Sequence, residues 1–134
     1  MWAAFQKLAT REVMTQAEAK RFFVDRVLEQ ARSEHVGLSK TERQMLRWSE
    51  SDPDFAADPR LAEQLAAEIS DPEYETKVAG LLERSYQRDV ATDPNARSMW
   101  REAYSVLSQG DHYLLVMINQ TLVRHLRPWW AFWR

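Results

Sequence analysis

The sequence predicts an all-α protein: a compact bundle of about six helices, preceded by a short N-terminal amphipathic stretch and followed by an aromatic C-terminal tail. Three observations lead there. Four of the five prolines follow aspartate, at Asp52-Pro53, Asp58-Pro59, Asp71-Pro72 and Asp93-Pro94, the pairing in which Asp caps a helix and Pro fills its first turn. Two capping boxes, Thr15-Gln-Ala-Glu18 and Ser39-Lys-Thr-Glu42, add two more starts. Between these starts, apolar residues recur three or four positions apart, which is the period of a helix with one buried face.

Helices are therefore expected to begin near residues 16, 40, 59, 72 and 94. Over 16–35 the stripe is Phe23, Val24, Val27, Leu28 and Ala31. The segment 40–50 carries Met45, Leu46 and Trp48, and a shorter one carries Leu61, Leu65 and Ile69. Val78, Leu81, Leu82 and Ser85 line 72–91, and Ala96, Met99, Trp100, Ala103, Tyr104 and Leu107 line 94–108. Gly37 and Gly110 fall just past two of these stripes, as left-handed helix caps do. Tyr113 to Ile118 is apolar on every side. No second β-rich run exists to pair with it, so the segment 111–126 reads as a central buried helix. The 134 residues form one domain, 1–134, with a core over about 15–126 and a Trp/Arg-rich tail at 127–134.

The longest uninterrupted apolar run, Tyr113 to Ile118, is far short of the roughly 20 residues a spanning helix needs. The start Met1-Trp-Ala-Ala-Phe-Gln-Lys lacks the basic and apolar blocks of a secretory signal. With no cysteine, thiolate metal sites, cysteine nucleophiles and disulfides are excluded, and a cytoplasmic location is the expectation, with the membrane periphery as the alternative. Three glycines build no Walker or dinucleotide loop. None of His35, His112 and His125 has a carboxylate three or four residues upstream, so the Glu-x-x-His unit of di-iron bundles is missing. No cofactor and no metal ligand set is expected. Asp111-His112-Tyr113 is the most enzyme-like cluster, yet Asp111 also suits a helix N-cap and neighbours on a helix point about 100° apart.

Helix 16–35, a turn at Val36-Gly37-Leu38 and helix 40–50 have helix-turn-helix proportions. The eleven residues Leu38-Ser-Lys-Thr-Glu-Arg-Gln-Met-Leu-Arg-Trp48 resemble the opening helix of LuxR-type DNA-binding domains, with the Leu-Ser, Glu-Arg and later Leu of that pattern. The resemblance implies a recognition helix downstream. There, however, the chain runs Glu50, Asp52, Asp54, Asp58, Glu63 and Glu68, which phosphates repel. No nucleic-acid partner is expected.

The net charge of −2 conceals a strong polarity. Residues 1–49 hold nine bases and six acids, for +3; residues 50–75 hold nine acids and one base, for −8. Residues 76–111 balance at five and five, and 112–134 add three arginines and no acid. A stretch at −8 suits a basic protein surface. Trp129, Trp130, Phe132 and Trp133 crowd beside Arg127 and Arg134, a composition found at protein hot spots and in the headgroup zone of membranes. Trp2, Phe5 and Leu8 form a second small stripe. The expected function is a non-catalytic protein–protein interaction module, meeting a protein partner or another copy of itself. Its candidate surface is Asp52, Asp54, Asp58, Glu63 and Glu68 together with Arg127, Trp129, Trp130, Phe132, Trp133 and Arg134. Peripheral membrane association through both termini is the alternative, and a small acid/base or hydrolytic enzyme ranks behind both.

Overall fold

The first helix, α1 (Gln16–Ser33), starts at its capping box. The Thr15 hydroxyl accepts from the Glu18 amide at 3.1 Å, and the Glu18 carboxylate accepts from the Thr15 amide at 3.1 Å. In the same way Ser39 and Glu42 open α2 (Lys40–Leu46), at 3.1 and 2.9 Å. This computed structural model describes residues 14–47, 60, 63, 72–110 and 112–126. The remaining helices are α3 (Pro72–Thr92), α4 (Ala96–Leu107), α5 (Leu114–Thr121) and α6 (Val123–Leu126). Among the described residues there is no strand, and the architecture is an all-α bundle. Arg60 and Glu63 are helical and exposed; the rest of the expected helix from 59, Trp48, the N-terminal stripe and the tail lie outside the described residues.

The predicted stripes supply most of the core. Phe23, Val24, Val27, Ala31, Met45, Leu46, Val78, Leu81, Leu82, Ser85, Ala96, Trp100, Ala103, Tyr104 and Leu107 are all buried. Helices α1 and α3 run antiparallel, because their ion pairs ascend on one and descend on the other: Arg26 with Asp89 at 3.4 Å, Glu29 with Arg88 at 3.5 Å, Glu34 with Arg84 at 2.8 Å. Helix α2 is tied to α3 by Lys77 on Glu42 at 2.7 Å and by the Tyr74 hydroxyl, which donates to the Glu42 carbonyl at 2.8 Å.

Four expectations need correction. The left-handed residue after α1 is His35 (φ 58°), and neither Gly37 nor Gly110 has positive φ. His35 takes that conformation because it closes a Schellman motif: the Val36 amide donates to the Ala31 carbonyl at 2.8 Å and the His35 amide to Arg32 at 3.3 Å. Gly110 serves close approach instead. A Cβ there would stand 2.7 Å from Gln16 Oε1, in the path of the Gln16–His112 hydrogen bond. Helix α4 begins at Ala96, two residues later than expected, because Asp93-Pro94 makes a turn. The Ala96 amide donates to the Asp93 carbonyl at 3.2 Å, and the Asn95 amide to Asp93 Oδ1 at 2.8 Å. Met99 is 43% exposed, off the buried face of α4.

The segment expected as one buried helix over 111–126 is two, α5 and α6, with Leu122 as the C-cap between them. Nor is it buried all round: Leu114, Met117, Ile118, Leu122 and Leu126 face the core, while Val116 is 47% exposed. The cap position of α5 is held by Tyr113, whose side chain makes no capping bond; Asp111 lies outside the described residues.

Two outcomes follow from this packing. Truncating Trp100, which is fully buried, to alanine should cost ~3–5 kcal/mol of unfolding free energy, read from urea denaturation. The His35→Gly variant should gain about 0.5–1 kcal/mol, since glycine reaches positive φ without the Cβ clash. An unchanged or lower urea midpoint for that variant would show that the imidazole offsets the strain.

Candidate functional site

The side chains best suited to chemistry are engaged in ties between helices. His112 Nε2 lies 2.7 Å from Gln16 Oε1 on α1, while the neighbouring Tyr113 hydroxyl donates to Glu75 Oε1 on α3 at 2.9 Å. The two therefore diverge onto different helices, as adjacent positions at a helix start should. The Gln16 amide also donates to the Val106 carbonyl, closing α1 onto α4. Tyr104 donates to Asn119 Oδ1 at 2.7 Å, joining α4 to α5, and the Thr121 hydroxyl donates to the Ala79 carbonyl at 3.1 Å. Among the described residues, no group of three or more His, Asp or Glu is placed to hold a metal ion.

The described surface has a smaller and a larger recess beside α1. The smaller, of about 230 Å³, lies where α1, α3 and α4 meet. Its wall is the indole of Trp100, whose Nε1–H donates to Asp89 Oδ2 at 3.0 Å. Arg26 pairs with the same carboxylate and lays its guanidinium 3.5 Å above the Phe22 ring, a cation–π contact. The cation place of this aromatic corner is thus filled by the chain's own arginine. The volume is below the ~300 Å³ at which ligand clefts begin.

The larger recess, of about 420 Å³, is an open groove on the other flank of α1. Its described lining is Ala17, Lys20, Arg21, Val24 and Asp25 from α1 and Arg47 from the end of α2. Arg21 lies five positions before Arg26, about 140° around the helix, so the flank that lines this groove is not the one that pairs with α3. Arg21 and Arg47 are exposed and make no ion pair among the described residues. The sequence reading missed this groove. Its cations are visible in the sequence, but their meeting is not, because Arg21 and Arg47 are 26 residues apart.

The interaction surface expected from the sequence is barely represented. Glu63 is helical and exposed. Asp52, Asp54, Asp58, Glu68, Arg127, Trp129, Trp130, Phe132, Trp133 and Arg134 lie outside the described residues. No described helix is long and apolar enough to cross a membrane.

The ionisable groups with displaced equilibria belong to the helix seams. Hydrogen bonds from Arg84 and Gln30 hold the Glu34 carboxyl below its ordinary value, and the same bond raises Arg84. Partial burial pushes Glu42 up, but the Lys77 bond, the Ser39 amide and the Lys77 charge together outweigh it and hold Glu42 low. Burial, with the charges of Tyr113 and Glu42, pushes the Tyr74 hydroxyl well above the usual phenol range, so it stays a neutral donor.

No protein-family model, curated protein or solved structure matches this chain.

A pH dependence follows from the two depressed carboxyls. Their folded values lie below the ordinary 4.5, so their contribution is complete above about that pH and is lost as pH falls through the folded values. The double variant Glu34→Gln, Glu42→Gln should be less stable than the parent at pH 7, and the gap should be smaller at pH 3. Urea midpoints at the two pH values test this, and a gap that stays constant would show that the carboxylate charge is not what stabilises the seams.

Proposed function

We propose that the protein is a non-catalytic interaction module whose acidic stretch, residues 50–75, engages a basic protein surface. The observation that carries this reading is a mismatch of charge. The stretch holds nine acids against one base, while the cations that face acids across the described helix seams already have partners: Arg26 with Asp89, Lys77 with Glu42, Arg84 with Glu34 and Arg88 with Glu29. Those four ion pairs use no acid of the stretch. Asp52, Asp58 and Asp71, about a third of its acids, precede prolines as helix caps do; Glu50, Asp54, Glu63 and Glu68 do not.

The geometry supports binding over catalysis because His112, Tyr113, Tyr74, Tyr104 and Trp100 each spend a polar atom on a bond that joins elements of the bundle. Such groups position helices. A general base or nucleophile needs a neighbour at hydrogen-bond reach and access to substrate, and His112 and Tyr113 are turned onto separate helices.

Fluorescence anisotropy with a labelled Arg-rich peptide tests the reading. Binding should weaken as salt rises from about 50 to about 300 mM. It should fall severalfold in the variant Asp54→Asn, Glu68→Gln and little in the equal-charge control Glu83→Gln, Glu102→Gln. Equal losses in the two variants would mean that only net charge is sensed, and the proposal would fail.

A further inference from the structure

Three arginines meet where α4 packs against α6. Arg97 and Arg101 lie four positions apart on α4 and so share one face. Arg101 Nε donates to the His125 carbonyl of α6 at 3.1 Å, and the His125 ring lies against the Tyr86 ring of α3 with 5.1 Å between centroids. Those two contacts pin α6 and bring Arg124, the residue before His125, to the same seam. Arg124 precedes the buried Leu126 by two positions, about 160° around a helix, and it is exposed, as are Arg97 and Arg101. None of the three makes an ion pair among the described residues. Like charges four apart on one helix face are mildly unfavourable, so the fold gains nothing from placing Arg97 beside Arg101.

The described acids around this seam do not cancel it. Asp89 and Asp93 line the smaller recess together with Met99, and Met99 is about 160° around α4 from both Arg97 and Arg101. Asp89 is in addition paired with Arg26. Glu102 projects about 100° away from Arg101. Glu83, about 60° from Tyr86 around α3, is left as one acid against three arginines. Glu73 and Glu75, described acids of the 50–75 stretch, stand at the other end of α3. Glu75 is eleven residues from Tyr86, which is about 16 Å along a helix and about two Debye lengths at physiological salt.

Independently of the acidic stretch, we infer that this cationic face rests on an anionic lipid surface. The guanidiniums are borne on exposed helix faces, and the lining of neither recess beside α1 includes Arg97, Arg101 or Arg124, which suits a flat sheet of headgroups better than an inserted side chain. The face also adjoins the part of the sequence whose composition fits that sheet. After Leu126 the chain carries Arg127, Trp129, Trp130, Phe132, Trp133 and Arg134 with no acid; these lie outside the described residues, and their types are those of interfacial anchors. Face and tail together hold five arginines, within the size range of clusters that bind anionic lipid. The contact is with the membrane surface, and no described helix is long and apolar enough to cross a membrane.

Co-sedimentation with vesicles of phosphatidylcholine alone, or with about 30% phosphatidylserine added, tests the inference. The parent should bind the anionic vesicles at about 0.1 M salt, ignore the neutral ones, and be released by about 0.5 M salt. Each arginine near an anionic surface gains about fivefold in partitioning, so Arg97→Gln with Arg124→Gln should bind about 25-fold less. Its melting temperature should be unchanged, because neither side chain is paired within the bundle. The equal-charge control Arg21→Gln with Arg47→Gln should bind as the parent does. So should Arg97→Lys with Arg124→Lys, which keeps the charge. Asp54→Asn with Glu68→Gln should bind vesicles at least as well as the parent, whatever it does to Arg-rich peptide, so the two surfaces are read apart.

Equal binding to neutral and anionic vesicles, or binding to neither, overturns the inference. Equal losses in the two glutamine variants overturn it too, since net charge alone would then be sensed. A loss in the lysine variant as large as that of Arg97→Gln with Arg124→Gln would show that the arginines serve the fold and not the contact. Retention of duplex DNA or of a poly-glutamate peptide without vesicle binding, abolished by Arg97→Gln with Arg124→Gln, excludes lipid in favour of nucleic acid or of an acidic protein.

Discussion

A single buried N–H sets the arrangement of three helices. The indole of Trp100 is wholly enclosed, with its ring met edge-on by Phe22 and Phe23 of α1 and Tyr86 of α3 at 5.3–5.6 Å between centroids. Enclosing an indole without an acceptor costs about 1–3 kcal/mol, so an acceptor must stand at one defined point, and Asp89 of α3 supplies it at 3.0 Å. A carboxylate at the edge of an aromatic cluster then needs a cation. Arg26 reaches it from α1 while stacking on Phe22 and donating to the Phe22 carbonyl at 3.2 Å. One donor thus fixes the height of α4 against α3 and of α3 against α1, and apolar packing alone, being non-directional, would leave those heights free.

The further ties repeat this logic at smaller scale. Glu42 accepts in three contacts: its carboxylate from the Ser39 amide and from Lys77, and its carbonyl from Tyr74. A short helix of seven residues, too short to be stable alone, is thereby held by one residue that caps its start and bonds its neighbour. Satisfaction is not complete. The hydroxyls of Ser85 and Tyr86 are buried without a hydrogen-bond partner, both on the buried face of α3.

Local rules made the starts of α1 and α2 legible and misled at the end of α1 and the start of α4. Both capping boxes were readable because donor and acceptor are three residues apart, a distance that the sequence itself fixes. The end of α1 was misread because glycine draws attention as the left-handed residue, whereas the position is set by where Val36 can bury. Val36 packs against the core and pulls the turn to His35. Asp93-Pro94 was misread for a related reason, since Asp-Pro fits both a helix cap and a turn, and a turn leaves α4 starting at Ala96. Met99 and Val116 fell off the buried faces because a stripe gives the period of burial but not its width. Trp100–Asp89 spans 11 residues, Tyr113–Glu75 spans 38 and Gln16–His112 spans 96. No pattern of spacing announces such pairs. The same holds for the groove, where each cation was visible and the flank it shares was not.

The two flanks of α1 differ in how their charges serve the fold. Arg26, Glu29 and Glu34 face α3 and are matched one for one, so their contribution is spent within the bundle. Arg21 and Arg47 stand clear of those pairs, beside a groove whose wall is small and apolar. An exposed ion pair contributes only about 0.2–1 kcal/mol, so leaving these two cations outside the seams costs the bundle little, whereas each pair inside a seam also helps to set the register of the helices it joins.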